Sequence, residues 1–199
     1  MNIAIFCSGN GTNLQAIIDS QKKGFIKADI KLVVSDTAGC FALERAKKAD
    51  IKTLVVEKKN FSSQKDFEGA ILKKLKEEKI GLIVLAGYMR LLSPDFIKEY
   101  KNKILNIHPS LLPSFKGTHG IKEAFLYGVK ITGPTVHFVT EDMDAGPIIL
   151  QSAVAVMEDD TEETFAGAIH KEEHKIYPRA IQLFVEGKLK IEGRKVKII

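Results

Sequence analysis

The sequence contains little cysteine and no long apolar run. Only two of its 199 residues are cysteine, Cys7 and Cys40, and two distant cysteines form neither a disulfide framework nor a metal-binding pattern. No apolar run approaches the roughly 20 residues that a membrane helix requires. The first residues also lack the basic flank and small-residue cleavage site of a secretory signal. These absences argue against a disulfide-rich secreted scaffold and a membrane protein, and they predict a cytoplasmic protein.

The charge of the chain is basic, but it is not concentrated in one segment. Lysine and arginine outnumber aspartate and glutamate by 30 to 25, which gives a net charge of +5. Many lysines are interleaved with acids, as in residues 73–79, and such a run is typical of a solvated helix face. A basic balance can indicate nucleic-acid binding, but it fits an anionic small substrate equally well. We therefore expect no nucleic-acid partner.

Short apolar runs alternate with amphipathic segments in the first half of the chain. Between the runs, apolar residues recur at helical spacing, as at Phe67, Ile71 and Leu75. Strands that alternate with helices predict βαβ units and a parallel sheet. The predicted strands cover residues 3–6, 30–34, 53–56 and 82–86, and the predicted helices cover residues 14–20, 40–48 and about 67–75.

The second half of the chain has a different pattern. A long helix is predicted from Thr161, and Pro178 should kink or divide it. Over residues 1–199 we predict one α/β domain, a Rossmann-like, mostly parallel twisted sheet with helices on both faces. The C-terminal half adds antiparallel strands and the long helix. The predicted strands of this half cover residues 104–108, 135–139 and 148–156, and a shorter helix covers residues 121–127.

A glycine-rich segment, residues 8–14, joins the first predicted strand to the first predicted helix. Glycines permit a tight turn, and free N–H groups at a helix start attract phosphate. The dinucleotide-binding fingerprint needs a third small residue where Leu14 stands, although Asp36 follows the second strand, where an NAD ribose ligand would lie. We predict a phosphate site. An NAD-dependent oxidoreductase and a turn that merely requires glycine stay open as alternatives.

Two polar residues interrupt the apolar strand at residues 104–108. Because strand side chains alternate between faces, Asn106 and His108 share one face, at the carboxyl end where open α/β sheets bind ligands. An acyl transfer needs a donor for the oxyanion and a group that moves protons, and these two residues supply both types. A buried Asn–His pair without chemistry is the alternative, and spacing alone does not separate the two.

An acidic loop, residues 141–147, follows the strand at residues 135–139. A carboxylate close to His108, such as that of Asp144, would orient the imidazole and favour its charged form. The sequence alone cannot bring Asp144 to that position, and a solvated hairpin is the simpler interpretation.

The other histidines give no convincing metal site. His170 and His174 have the i, i+4 spacing of helical metal ligands, but Lys171 stands where the zincin pattern needs glutamate, and no third ligand is evident. We predict no metal. His119 and His137 could lie near the pocket, and a hydrogen-bonded structural role is the more common one for such residues.

With these segments in view, the chain closely resembles the folate-dependent formyltransferases over nearly its entire length. The Asn-x-His-Pro-Ser-Leu-Leu-Pro stretch is specific to these enzymes and their relatives, and the Gly-Asn-Gly-Thr-Asn loop points to the branch that acts on a ribonucleotide. The segments that carry the resemblance are residues 8–14, 85–90, 106–113, 135–139 and 144–149.

The resemblance implies an activity and a set of site residues. The activity is transfer of a formyl group from 10-formyltetrahydrofolate to the amine of glycinamide ribonucleotide in purine biosynthesis, without a metal. The implied catalytic residues are Asn106, His108 and Asp144. The residues implied for the ribonucleotide are Gly11, Thr12 and Asn13 at the phosphate and Glu173 at the ribose. The residues implied for the folate are Met89, Arg90, Leu91, Leu92, Asn106, Thr140 and Asp142.

The resemblance also implies a division of labour, with residues 1–100 binding the nucleotide and residues 101–199 completing the catalytic and folate site. Gln64 departs from the pattern, because relatives often carry an arginine there near the folate tail, and glutamine cannot form a charged bidentate pair. We expect a monomer or homodimer. A formyltetrahydrofolate hydrolase or a methionyl-tRNA formyltransferase usually carries an extra domain, which we do not expect here, and a non-catalytic nucleotide-binding module would leave the polar residues idle.

Overall fold

The secondary structure follows the alternating apolar pattern of the sequence. The computed structural model describes all 199 residues. The strands are β1 (Asn2–Cys7), β2 (Asp29–Ser35), β3 (Lys52–Val55), β4 (Ile80–Leu85), β5 (Ile104–His108), β6 (Ile131–Thr132), β7 (Thr135–Phe138), β8 (Ile148–Gln151), β9 (Val154–Ala155), β10 (Leu189–Glu192) and β11 (Lys195–Ile198). The helices are α1 (Thr12–Lys22), α2 (Phe41–Lys48), α3 (Gln64–Glu77), α4 (Pro94–Glu99), α5 (Gly120–Tyr127) and α6 (Glu162–Val185).

One nine-stranded sheet runs through both halves of the chain in the order β10-β11-β8-β7-β5-β4-β1-β2-β3. The strands from β3 to β5 are parallel, whereas β7 is antiparallel to both β5 and β8. The short strands β6 and β9 form a separate antiparallel pair. The predicted fold, a mostly parallel sheet that gains antiparallel strands in its second half, is therefore confirmed.

Helices cover both faces of the sheet, because the strands carry apolar side chains on both faces. On one face Ile5 and Val84 pack with residues of α1, α2 and α6, and on the other Phe6 and Leu85 pack with residues of α3 and α4. Tyr177 of α6 is fully buried against the first face. Its hydroxyl donates to the main-chain oxygens of β4 and β5. None of the helices combines the length and hydrophobicity needed to cross a membrane.

Several element predictions need correction. The strand predicted at residues 148–156 is two strands, because the chain turns after β8 and β9 pairs with β6 instead. Gly133 makes the turn possible, since a Cβ atom there would lie 1.8 Å from the Ser152 oxygen. The prediction that Pro178 could divide the last helix is wrong, because α6 continues through it. The sequence patterns also did not predict α4, β6, β10 and β11.

The parallel strands place their carboxyl ends at one edge of the sheet. The connections from β1 and β4 leave in opposite directions, towards β2 and towards β5 respectively. This reversal of strand order creates the crevice in which open α/β sheets bind ligands. The glycine-rich loop, the segment after β4 and the end of β5 all lie along this edge.

Candidate active site

The glycine-rich loop is shaped by close packing as well as by its turn. Gly11 has a φ of +74°, and a Cβ atom there would lie 2.7 Å from the Ala42 Cβ at the start of α2. A side chain at this position would therefore be strained and would also clash. Gly11 is the N-cap of α1, no side chain caps the helix, and its first turn contains no acid. The helix start thus keeps the positive end of its dipole available to an anion.

Asn13 and Glu173 bring the start of α1 to the middle of α6. The Asn13 amide donates to Glu173 Oε2 over 2.9 Å, and Nδ1 of His170 lies 2.9 Å from the same oxygen. Glu173 is buried, and the pKa of His170 is raised, chiefly by its hydrogen bond with Glu173. Asn13 Oδ1 is also buried but has no hydrogen-bond partner. An acceptor of this kind is suited to a hydroxyl or N–H group of a ligand.

A polar groove of about 560 Å³ extends from this loop between α1 and α6. Thr12, Arg45 and His174 are among the residues that line it. Nε2 of His174 is buried without a partner, and burial lowers the pKa of this histidine. The groove does not include Asn106 or His108, so the end of β5 lies outside it.

Asn106, His108 and Asp144 converge at the end of β5. Nδ1 of His108 lies 3.4 Å from Asp144 Oδ2, and its Nε2 lies 2.8 Å from the Phe115 oxygen. The Gly117 N–H donates to Asp144 Oδ2 over 2.8 Å and holds the carboxylate in place. His108 and Asp144 are both largely buried. The solvated hairpin considered for Asp144 is therefore not what the structure shows, because the carboxylate turns inwards.

His137 belongs to the same cluster, although the sequence analysis did not select it. Its Nε2 lies 3.2 Å from the Asn106 amide nitrogen and its Nδ1 lies 2.9 Å from the Phe138 oxygen. Strand alternation is the sequence signal that could have identified His137, since β7 places it on the same face as Thr135 and opposite β5. His119, by contrast, lies exposed at the start of α5.

The segment after β4 is anchored on both sides. The Met89 N–H donates to Ser8 Oγ over 2.9 Å, which ties this segment to the glycine-rich loop. The Arg90 guanidinium donates to Asp36 Oδ2 over 2.7 Å and lies over the Phe67 ring. Asp36 is therefore already paired with a cation, which counts against the ribose-binding role that an NAD-dependent enzyme would require.

The apolar side chains of the same segment point outwards. Met89 and Leu91 are 65% and 71% exposed, and Leu92 is partly buried against the α3 side of the sheet. Across the site, Met143 is 50% exposed. Exposed large apolar side chains on both sides of a polar cluster indicate a binding surface for a flat, partly apolar ligand.

A buried carboxylate supports this segment from α3. Glu68 is 3% exposed and accepts hydrogen bonds from the N–H and hydroxyl of Ser93. Gln64 also donates to Glu68, over 2.8 Å. Gln64 is thus hydrogen-bonded within its own helix. Because its side chain is uncharged, it offers no cation to a ligand carboxylate.

The segment after β7 contains Thr140 and, within the acidic loop, Asp142. The Thr140 hydroxyl donates to the main-chain oxygen of Asp142, whose own side chain is exposed. Asp144 has a φ of +49°, and this left-handed backbone helps to turn its carboxylate towards His108. Gly146 cannot carry a side chain, since a Cβ atom would lie 1.7 Å from the Phe138 oxygen. The loop is thereby pressed against the end of β7.

The structure shows no arranged metal-binding site. No group of three or more His, Cys, Asp and Glu side chains is placed to hold a metal ion. His170 is instead paired with Glu173.

Together, the fold and the site define the class of protein. The chain is an α/β enzyme with an Asn–His–Asp cluster and an uncapped helix start at the carboxyl edge of its sheet. The formyl transferase family matches residues 1–181. The chain therefore belongs to the formyl transferase family, which confirms the family resemblance of the sequence.

Individual relatives agree with this assignment. The phosphoribosylglycinamide formyltransferase of Escherichia coli is 42% identical over 191 residues, which cover 96% of this chain and 90% of that protein. The crystal structure of glycinamide ribonucleotide transformylase 1 from Symbiobacterium toebii superposes with a TM-score of 0.97 at 47% identity, covering 100% of this chain and 94% of that one. The trifunctional purine biosynthetic protein adenosine-3 of Gallus gallus is 47% identical over 96% of this chain, which spans only 19% of that longer protein.

Proposed function

We propose that this chain transfers the formyl group of 10-formyltetrahydrofolate to the amine of glycinamide ribonucleotide, as a step of purine biosynthesis. The products are N-formylglycinamide ribonucleotide and tetrahydrofolate. The observation that carries the proposal is the convergence of Asn106, His108 and Asp144 at the sheet edge where α1 also begins. The relatives named above support the choice of substrates.

The three polar residues have complementary tasks in the proposed reaction. The substrate amine attacks the formyl carbon, and the formyl oxygen gains negative charge. Asn106 donates to that oxygen, and the charged imidazole of His108 stabilises it electrostatically. The bond between the formyl carbon and the folate nitrogen then breaks. The proton lost by the amine ends on the leaving nitrogen, and we assign Asp144 to its relay.

The ring of His108 is held between two oxygen atoms. Its Nδ1 lies 3.4 Å from Asp144 Oδ2, and its Nε2 lies 2.8 Å from the Phe115 oxygen. For Nε2 to reach the substrate oxygen, it must exchange its hydrogen bond with Phe115. We therefore expect the direct hydrogen bond between His108 and the substrate oxygen to form only when substrate is bound.

The ribonucleotide fits between the start of α1 and α6. We assign its phosphate to the main-chain N–H groups of Gly11, Thr12 and Asn13, with His174 as a further donor whose Nε2 is otherwise unpartnered. The ribose hydroxyls fit Glu173 and the unpartnered Asn13 Oδ1, since both accept hydrogen bonds. This arrangement directs the amine of the substrate towards the end of β5.

The folate, which is a substrate here, fits the opposite side of the cluster. Met89, Leu91 and Met143 offer exposed apolar surface for its ring system. We assign Leu92, Thr140, Asp142 and the main chain of Arg90 to the same pocket, with Asn106 between the two substrates. The side chain of Arg90 serves to fix the segment through Asp36.

A substrate-dependence assay tests the proposal. Purified protein is mixed with 10-formyltetrahydrofolate, with or without glycinamide ribonucleotide, and tetrahydrofolate formation is followed by absorbance. We expect release that requires the ribonucleotide and saturates with it. Equal release in its absence would identify a hydrolase instead, and no release under either condition would refute formyl transfer to this acceptor.

Three further features stay predictions. We propose that residues 1–199 act as one domain, with residues 1–100 contributing most of the nucleotide site and residues 101–199 completing the catalytic and folate site. We also propose a cytoplasmic location and a monomeric or homodimeric state. Light scattering during size-exclusion chromatography distinguishes the two states, and a larger assembly would contradict both.

A further inference from the structure

Asn106 and His137 face each other directly across two antiparallel strands. They are register partners of β5 and β7, so their side chains emerge on the same face at close distance. The Asn106 amide nitrogen lies 3.2 Å from His137 Nε2. This contact is therefore imposed by strand pairing and does not depend on a loop conformation.

The other ring nitrogen of His137 determines which atom donates in this contact. Nδ1 lies 2.9 Å from the Phe138 main-chain oxygen, and a carbonyl oxygen can only accept, so Nδ1 must carry a hydrogen. His137 is almost completely buried, and burial is the main cause that lowers its pKa. The neutral ring therefore has its lone pair on Nε2, and Asn106 must donate to it.

Two charged or titratable groups also face His137. Asp144 Oδ1 lies 3.8 Å from Nε2 and opposes the lowering of the pKa, whereas His108 reinforces it. Because Nε2 of the neutral ring carries no hydrogen, its approach to Asp144 is not an ion pair. The Asn106 amide is then the hydrogen-bond donor that Nε2 contacts.

We propose that His137 is a positioning residue for catalysis, because its Nε2 atom fixes the rotation of the Asn106 amide. One amide N–H is held by His137, so the second N–H is directed towards the substrate oxygen. The inference rests on the proposed function, in which Asn106 stabilises the oxyanion. It assigns to His137 a task that the family resemblance did not supply.

The rotation of this amide matters because its two ends have opposite polarity. In the proposed orientation the amide presents an N–H donor to the substrate oxygen on which negative charge develops. After a 180° rotation, Asn106 Oδ1 would take the place of the amide nitrogen and face the lone pair of His137 Nε2. The lone pairs of Oδ1 would then repel a substrate oxyanion. Without an acceptor at position 137, both rotations become accessible and part of the enzyme is misoriented.

The first test concerns the tautomer and does not require activity. Long-range proton–nitrogen NMR on histidine-labelled wild-type protein near neutral pH reports which ring nitrogen of His137 is protonated. We expect a neutral ring with hydrogen on Nδ1 and none on Nε2. A ring protonated on Nε2, or on both nitrogens, would overturn the inference whatever the enzyme's substrates prove to be.

The second test uses two amide variants that mimic opposite ends of the imidazole. In His137→Gln the amide reaches the position of Nε2 and can accept from Asn106. In His137→Asn the shorter amide reaches only the position of Nδ1 and can donate to the Phe138 oxygen. Both variants bury one amide in place of one ring, so a general loss of packing should affect them similarly. Thermal unfolding checks that both are folded.

The kinetics should separate the two variants. We expect His137→Asn to lower kcat by up to about a hundredfold, approaching the loss of an oxyanion donor, with little change in the KM of either substrate. His137→Gln should recover most of that loss. Equal losses in the two variants, or a greater loss in His137→Gln, would contradict the positioning role and leave His137 with a structural role only. Absence of formyl transfer in the wild type would refute the proposed function instead, and the NMR result would still decide the orientation.

Discussion

The imidazole of His108 and the carboxylate of Asp144 form a pair at the end of β5, with 3.4 Å between Nδ1 and Oδ2. The pair is buried, and the Gly117 N–H holds the same carboxylate oxygen. A carboxylate that is fixed beside an imidazole orients the ring. The two side chains therefore should act as one unit in catalysis.

Substitution of the pair should reveal this dependence. Asp144→Asn removes the charge but keeps the shape, and we expect kcat to fall with little change in ribonucleotide binding. His108→Ala should cost on the order of 10²–10³ in kcat, as other lost oxyanion stabilisers do. The double variant should lose much less than the product of the single losses, because residues that act as a unit are not additive.

Single-turnover kinetics on all four proteins provide the measurement. Isothermal titration with glycinamide ribonucleotide serves as the control for folding and binding. Near-normal turnover in His108→Ala when chemistry limits the rate would contradict the assigned mechanism. Strictly multiplicative losses would contradict the coupling of His108 and Asp144.

The contact between Asn13 and Glu173 yields a prediction about the ribonucleotide. Asn13→Asp would place a second carboxylate against Glu173 Oε2 and beside the bound phosphate, so the KM of the ribonucleotide should rise at least about tenfold. The KM of the folate should hardly change. Asn10→Asp is a matched control, because it adds the same charge to the same loop but beside Arg45, which already donates to Asn10. A similar loss in both variants would count against a phosphate site at residues 11–13.

Two tyrosines with buried hydroxyl groups should respond oppositely to the loss of those groups. The Tyr88 hydroxyl is buried without a hydrogen-bond partner, whereas the Tyr177 hydroxyl donates to the oxygens of Leu85 and Leu105. Tyr88→Phe should therefore raise the free energy of unfolding by about 1 kcal/mol, and Tyr177→Phe should lower it by about 1–2 kcal/mol. Denaturant unfolding of the two variants checks both signs. A destabilised Tyr88→Phe would mean that its hydroxyl has a partner.

Much of the first half of the fold could be predicted because its strands are buried on both faces. Continuous apolar runs such as Leu82–Ala86 then have few competing interpretations. The six-residue helix α4 was missed although Ser93 and Pro94 form its start, with a serine cap and proline in the first turn. A helix of that length has too few residues to show a periodic pattern, so only its start signal could have found it.

The end of the chain was missed for a different reason. Strands β10 and β11 alternate charged and apolar residues, as in Lys195–Ile198, and pair at the edge of the sheet. Edge strands often carry lysine, which protects them from further pairing. Such a half-exposed pattern has little apolar density and resembles a solvated tail, so tertiary pairing rather than local sequence determines it.

The cluster of Asn106, His108 and Asp144 could be predicted only in part from the sequence. Strand alternation alone placed Asn106 beside His108, but Asp144 is distant in sequence and required the family resemblance. His137 remained unassigned because its role depends on the register of β5 with β7. Register is set by long-range packing and turn geometry, neither of which a single sequence displays.

The pair of His170 and Glu173 predicts a pH-dependent contribution to stability. The hydrogen bond with Glu173 raises the pKa of His170 above its ordinary value of 6.5. The folded protein thus binds this proton more tightly than the unfolded chain. The contribution is full below the unfolded pKa and is lost as the pH rises through the folded pKa. Because the side chain is 46% exposed, solvent screening keeps the effect small.

Thermal unfolding at two pH values checks this prediction. The difference in Tm between wild type and His170→Gln should be larger near about pH 5.5 than near about pH 8.5, since glutamine can keep a hydrogen bond but carries no charge. His119→Gln replaces an exposed histidine outside the pair and serves as the control. A difference that grows with rising pH would have the wrong sign for a raised pKa.

A carbon-13 label on the formyl group tests directly whether the protein transfers this group from the folate to the ribonucleotide. The protein is given 10-formyltetrahydrofolate labelled with carbon-13 in the formyl group, together with glycinamide ribonucleotide, and the products are followed by carbon NMR and mass spectrometry. Our account predicts that the label leaves the folate and is recovered in N-formylglycinamide ribonucleotide, and that Asn106→Ala and His108→Ala slow this transfer. Recovery of the label as free formate, or its retention on the folate, would contradict the account.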